Sequence, residues 1–223
     1  MIKSDYILRM VDELMQALAR IKALRNEDRL DEAADALDAE FKRLTGEGAS
    51  EITRLSETEL LAKLMRGDPI HVIRQKTLAL ITLLKEAGDT AAAEDSEDEA
   101  RENYLKALHL LLNVLGRDEP FKLPEFVPQV ESLVAALQDG ALPMRTQAML
   151  MQHYERTGQF AKAEDALFAM LDAEPENRAI LEFGCAFYRR LLAQSESALS
   201  AGNFSRKESE QALKELQGRM AEK

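Results

Sequence analysis

The chain has 223 residues, with 40 Asp or Glu against 29 Lys or Arg, a net charge of −11, a single cysteine and no tryptophan. That length holds one sizeable core or two small domains, and the acidic balance excludes a general nucleic-acid binder, which needs clustered basic groups to neutralise phosphates. Leu, Ala, Glu, Lys and Arg abound, long β-branched runs are missing, and most of the ten Gly and six Pro fall where a helix should stop, so an all-α fold is expected.

Taken in chain order, Ile7, Met10, Val11, Leu14, Leu18 and Ile21 recur at helical spacing and predict a first helix over about 4–24. Asn26-Glu27-Asp28 breaks it. Leu30, Ala33, Ala34, Leu37, Phe41 and Leu44 mark a second helix that stops before Gly46, and the two form an antiparallel hairpin. Ser56-Glu57-Thr58-Glu59 reads as a capping box opening a short helix to about Met65. Asp68-Pro69 is the next start signal, with Ile70, Ile73, Leu80, Ile81 and Leu84 carrying a helix to about Ala87. Gly88 to Asp95, polar and small, reads as an exposed loop. Ser96-Glu97-Asp98-Glu99 reads as a second capping box, opening a helix to about Leu115.

Pro120, Pro124 and Pro128 then forbid a continuous helix. The segment from Gly116 to Val127 is the expected hinge between an N-terminal lobe, 1–116, and a C-terminal lobe, 117–223, unless the chain is one continuous domain. The first lobe would hold hairpins at 4–45 and 69–115 with a short helix between them. A helix over about 128–138 follows, and Pro143 opens another. Beyond Glu174-Pro175-Glu176-Asn177 a helix is expected over about 178–200, Gly202-Asn203 turns the chain, and Ser205 with Glu208 caps a last helix. Arg189-Arg190 and Arg206-Lys207, the densest basic pairs, read as solvated helix faces.

Cys185, alone and in the apolar stretch Phe183-Gly184-Cys185-Ala186-Phe187, reads as a buried inert thiol in a reducing compartment. The N-terminal residues carry charge and no apolar signal core, and no apolar run reaches bilayer length. The expected location is cytoplasmic.

The segment Met144 to Asn177 resembles a tetratricopeptide repeat, a helix hairpin of 34 residues. Leu150 and Tyr154 stand at the packing sites of its first helix, Gly158 in the turn, Phe160, Ala163 and Leu167 along the second helix, and Pro175 at the end. Gln147 replaces the tryptophan of the pattern, Met151 its small residue and Met170 its late alanine. Two echoes lie upstream: Leu30-Asp31-Glu32-Ala33 with Leu37, and Ala100, Tyr104 and Ala107. The resemblance implies an α/α helix-hairpin array, a degenerate tetratricopeptide-repeat-like solenoid. The opening Met1 to Met10, with Ala17 to Ile21, also resembles an uncharacterised bacterial family of helical, repeat-like proteins that has no assigned reaction, cofactor or partner.

Catalytic, cofactor-binding and metal-ligating constellations are not legible. His71, His109 and His153 are far apart and show no metal-ligand spacing. Gly46-Glu47-Gly48 lacks the strand and further glycine of a dinucleotide loop, and the acidic run Glu94 to Glu102 complements a helix N-terminus. Stacked hairpins make binding surfaces, so the expected function is a non-enzymatic protein-interaction module that takes a protein or peptide segment, with no nucleic acid and no membrane. On the repeat register Arg145, Ala148, Gln152, Glu155 and Arg156 face the partner, with Asn177 at the edge of the next unit. They lack the Lys and Asn pattern of a carboxylate clamp. The alternatives are a homodimer that self-associates through the first-helix stripe of Ile7, Met10, Leu14, Ala17, Ile21 and Leu24, or a small-ligand sensor or enzyme using a cleft near Pro120 to Pro128.

Overall fold

A computed structural model describes residues 2–65, 69–117 and 121–221, the side chains of 2–6 excepted. These residues form twelve helices: α1 (Ile2–Asn26), α2 (Leu30–Thr45), α3 (Ala49–Arg54), α4 (Glu57–Leu64), α5 (Ile70–Ala93), α6 (Glu97–Leu115), α7 (Val130–Ala136), α8 (Met144–Arg156), α9 (Phe160–Ala173), α10 (Arg178–Leu192), α11 (Glu196–Ala201) and α12 (Arg206–Ala221). None is long and apolar enough to cross a membrane. The chain divides into two compact units, Met1–Ala141 and Leu142–Lys223.

One turn recurs in both units. Asp28, Asp95, Gly158 and Asn203 have positive φ, at 60°, 56°, 73° and 56°. The next residue in each case donates its N–H to the carbonyl five residues back: Arg29 to Leu24 at 2.9 Å, Ser96 to Ala91 at 2.9 Å, Gln159 to Tyr154 at 2.8 Å and Phe204 to Leu199 at 2.9 Å. This is the six-residue closure that satisfies the last carbonyls of a helix. In the first three turns the donor then starts the next helix with nearly the same backbone angles, −98° and 64° at Arg29, −93° and 66° at Ser96, −89° and 62° at Gln159. The fourth residue of each of those helices is a buried alanine, Ala33, Ala100 or Ala163, where only a methyl group separates packed backbones. The turn residues are Gly, Asp and Asn, the types that tolerate left-handed geometry.

In the first unit α1 pairs with α2 and α5 with α6, and α5 packs on both helices of the first pair. From Thr77 to Leu84 every residue of α5 is buried, which marks it as the central helix of the unit. Met10, Leu14, Leu18, Ile21 and Leu24 of α1 are buried in this packing, so the first-helix stripe is spent inside the unit. Each such Leu or Ile contributes about 1.5–3 kcal/mol over leaving it in water.

The polar groups that α5 buries are all engaged. Thr77, Thr82 and Thr90 donate their hydroxyls to the carbonyls of Ile73, Leu78 and Glu86. Glu86, 1% exposed, receives Arg25 at 2.9 Å and Lys22 at 3.2 Å from α1. Arg25 also reaches Asp89 at 3.2 Å, and the Tyr104 hydroxyl of α6 donates to the other Asp89 oxygen at 2.9 Å. One node of charge thus ties three helices, at positions where an unpartnered carboxylate would cost several kcal/mol. Tyr104 reaches it across Gly88, where a Cβ would stand 2.4 Å from the ring. Burial, reinforced by Asp89, pushes the Tyr104 phenol well above its ordinary range.

Several expectations need correction. Gly88 to Ala93 is the last part of α5 and not a loop, with Gly88, Thr90 and Ala91 buried and Ala92 and Ala93 exposed; Gly88 leaves room for the Tyr104 ring that lies over it. Ser96 makes no side-chain cap; its backbone angles are those the recurrent turn imposes. Ser56 does form the reciprocal capping box with Glu59, as do Ser205 and Glu208. The expected helix over 178–200 is two helices, broken where Ser195 caps α11 by accepting the Ala198 N–H. Arg206 is half-exposed and also structural: its guanidinium donates to the Leu192 and Gln194 carbonyls at 2.6 and 2.9 Å and closes the end of α10. Asp68 and Pro120, read as a helix start and part of a hinge, lie outside the described residues.

The boundary between units falls after Ala141 and not near Gly116. Helix α7 packs on α6, Val127, Val130, Leu133 and Leu137 are buried, and Arg101 of α6 donates to the Ala141 carbonyl at 2.6 Å. The segment after the prolines is therefore part of the first unit.

In the second unit α8 pairs with α9, and α10 with α12. The turns of the two hairpins touch, Ala161 N–H donating to the Gly202 carbonyl at 3.3 Å. Tyr188, fully buried, donates its hydroxyl to Glu164 at 2.6 Å. Burial first, then this bond, raises the Tyr188 phenol well above the usual range.

Three outcomes follow from this packing. Gly158→Ala costs about 1 kcal/mol in urea unfolding from backbone geometry alone, whereas Gly158→Asn, using a residue of the sister turns, recovers most of it. Gly88→Ala costs about 1–3 kcal/mol through overpacking against Tyr104, and the double variant with Tyr104→Ala loses less than the sum of the two singles. Tyr104 and Tyr188 titrate higher folded than their unfolded value of about 10, so the stability they supply is complete below that pH and lost as pH rises through the folded values. Chemical denaturation across alkaline pH shows this decline, and Phe at both positions flattens it.

Candidate partner-binding face

Helix α8 starts at Met144 behind Pro143, whose extended backbone (ψ 147°) precedes the first turn. Its buried side is Thr146, Leu150, Met151, His153 and Tyr154, which turns the opposite side to solvent. Arg145, Gln152 and Arg156 are exposed and lie seven and four residues apart, two turns and one turn along a single stripe. Ala148 and Glu155 are half-buried at its edge.

Glu155 joins this stripe to α10. Arg190 Nε and Nη2 bond its two carboxylate oxygens at 2.6 and 2.8 Å, a forked pair that fixes both side chains. Glu155 holds the Arg190 guanidinium still more firmly protonated than usual. Arg189 beside it is exposed, with Ala186 and Phe183 half-buried further back. At the other end of α10 Asn177 accepts the Ala179 N–H at 3.0 Å as N-cap and donates its amide to Glu174. The structure thus sets Arg145, Gln152, Arg156 and Glu155 on one face, adds Arg189 and Arg190, which the repeat register did not select, and occupies Asn177 in closing a helix end. The adjacent basic pair at 189–190 was visible in sequence, but its Glu155 partner is 35 residues away and no spacing rule joins them.

Among the described residues, depressions also lie elsewhere. One of about 390 Å³ near the start of α6 is bordered by Asp95, Glu97, Asp98 and Asp139 together with Arg101. A second, about 300 Å³ between α9 and α12, carries Glu164, Glu208 and Glu215, and burial raises the Glu164 carboxyl above its usual range. A third, about 410 Å³ between α1 and α2, has an alanine floor of Ala17, Ala36 and Ala39, with Arg43 bound to both Glu13 and Glu40 across it.

The groups able to do chemistry are dispersed. His109 Nδ1 lies 2.5 Å from Glu57 Oε1 in the seam between α6 and α4, beside Lys106, which donates to Glu102 and to the Thr53 carbonyl. His153 is buried against Tyr154, ring centroids 5.6 Å apart, and His71 is exposed. Cys185 is buried and burial raises its thiol. No group of three or more His, Cys, Asp or Glu able to hold a metal ion occurs among the described residues.

No curated protein and no solved structure matches the chain. Residues 1–221 match one family model, and on that match the chain belongs to the Family of unknown function (DUF6483).

Proposed function

We propose that this chain is a non-enzymatic interaction module, a degenerate tetratricopeptide-repeat-like array of helix hairpins that holds a segment of a protein partner. The observation that carries the reading is the face of α8 continued onto α10 by the Glu155–Arg190 fork. It offers solvent-facing polar groups on two helices joined by that pair, whose buried sides are already committed to packing. A scaffold of this kind orders little on binding, so little side-chain entropy opposes capture. The recurrent turn supports the repeat reading, since it closes four helices with the same hydrogen bond and, at three of them, leads into the next helix with nearly the same backbone angles. The setting we propose is cytoplasmic, in keeping with one cysteine and no disulfide.

Self-association through the first-helix stripe has less in its favour, because Met10, Leu14, Ile21 and Leu24 are buried inside the first unit.

Affinity capture from the cells that make the protein tests the reading. Arg145→Glu and Arg156→Glu each weaken retention of the captured partner about tenfold, a loss of about 1.4 kcal/mol, and leave the helical circular dichroism unchanged. Full retention by both folded variants would rule out this face.

A further inference from the structure

We infer that the partner segment held on the α8–α10 face is acidic, and that Arg145, Arg156 and Arg189 are the groups that recognise its carboxylates. The inference rests on the reading of that face as the binding surface and adds the chemistry of what binds.

The charge of this chain is unevenly distributed. Residues 1–141 carry 28 Asp or Glu against 18 Lys or Arg, whereas residues 142–223 carry 12 against 11. Within the second unit the balance inverts again on one face. Helices α8 and α10 together bear five arginines, Arg145, Arg156, Arg178, Arg189 and Arg190, and only two carboxylates, Glu155 and Glu182. Both carboxylates are already engaged by arginines of the same two helices: Glu155 by Arg190, and Glu182 by Arg178 at 2.9 Å. Arg156 and Arg189 are exposed and have no ion-pair partner among the described residues. By contrast, the charged groups bordering the depression near α6 are acids apart from Arg101, and those bordering the one between α9 and α12 are all acids. The α8–α10 face is thus a net-positive surface on a chain of net charge −11.

Arginine is the side chain best suited to a carboxylate, since its planar fork donates two parallel bonds that a lysine cannot make. The Glu155–Arg190 pair already shows that geometry on this face. It also holds Arg190 in place, so an incoming acid meets a preformed cationic edge. Arg145 and Arg156 are eleven residues apart, about 16 Å along a helix, the reach of about five residues of extended chain. A partner with two acidic groups about five residues apart therefore spans the stripe, while Ala148 and Ala186, half-buried, leave room for small apolar side chains between them. A peptide fits better than a nucleic acid. Glu155 and Glu182 stay on the face and would meet a continuous phosphate backbone with like charge, and the exposed stripe offers no aromatic platform for bases.

The test uses the intact chain, immobilised, and three synthetic pools of randomised peptides of about twelve residues. The pools carry Glu, Gln or Lys at two positions about five apart, and a single-stranded oligonucleotide of random sequence is run beside them. The expected result is selective retention of the Glu pool, lowered about tenfold by Arg156→Glu and by Arg189→Glu. Lys162→Glu and Lys207→Glu, which change the net charge equally on other helices, leave retention unaltered. The double variant with Glu at 156 and 189 gains the Lys pool. Retention of the Gln pool equal to that of the Glu pool, abolished by Arg145→Glu, overturns the acidic chemistry while the face stands. Loss of Glu-pool binding on Lys162→Glu as large as on Arg156→Glu overturns the site, because it shows non-specific attraction. Retention of the oligonucleotide in preference to every pool, or of no pool at all, overturns the proposal.

Discussion

The hydrogen bond that runs from the third residue past a helix to the carbonyl five positions back is what the hairpins of this molecule are built on. It occurs at Arg29, Ser96, Gln159 and Phe204. Each time it requires one residue in left-handed geometry just before the donor, and it reverses the chain within a few residues. At the first three turns the next helix leaves at one reproducible angle, and that angle brings the fourth residue of the helix against the helix before it. A side chain larger than methyl there would push the pair apart, and Ala33, Ala100 and Ala163 are the result. Backbone geometry thus dictates the alanine positions.

The first unit adds a second constraint, since its central helix has no exposed side on which to place polar groups. Glu86 and Asp89 are tolerable in α5 because α1 supplies Arg25 and Lys22, α6 supplies Tyr104, and Lys85 of α5 itself pairs with Asp89. Hydrophobic burial holds these helices together without fixing their register. The charged node does fix it, because its hydrogen bonds are satisfied only at one rotation of each helix. The seam between α6 and α4 repeats the device with His109 and Glu57, and Lys106 ties α6 to the Thr53 carbonyl of α3.

Much of this was legible in the residues. The all-helical class followed from composition, the alanines from their spacing, and the Ser56 and Ser205 boxes from local pattern. The failures have physical causes. Gly88 to Ala93 lacks large apolar residues, which reads as loop, yet Gly88 leaves room for a tyrosine ring from 16 positions further on that lies over it. Ser96 has the right neighbours for a capping box, but the preceding turn had already set its backbone. The break between α10 and α11 was hidden by continuous helical propensity, and Arg206 settles it by capping the carbonyls from 14 residues downstream. On the candidate face the register of Arg145, Gln152 and Arg156 was readable because it is local to one helix. The extension to Arg189 and Arg190 depends on an ion pair between residues 35 positions apart, which periodicity does not encode.

The recurrent turn also bears on how the chain reaches this structure. Each closure joins residues five apart, and each first helix meets its own hairpin partner before anything more distant. Little loop entropy has to be surrendered before a packed pair exists, which places the molecule among low-contact-order folds that assemble in microseconds to milliseconds. A nascent chain of this kind buries the apolar stripes of a hairpin as soon as its second helix has emerged, and so never displays several of them to the crowded solvent at once.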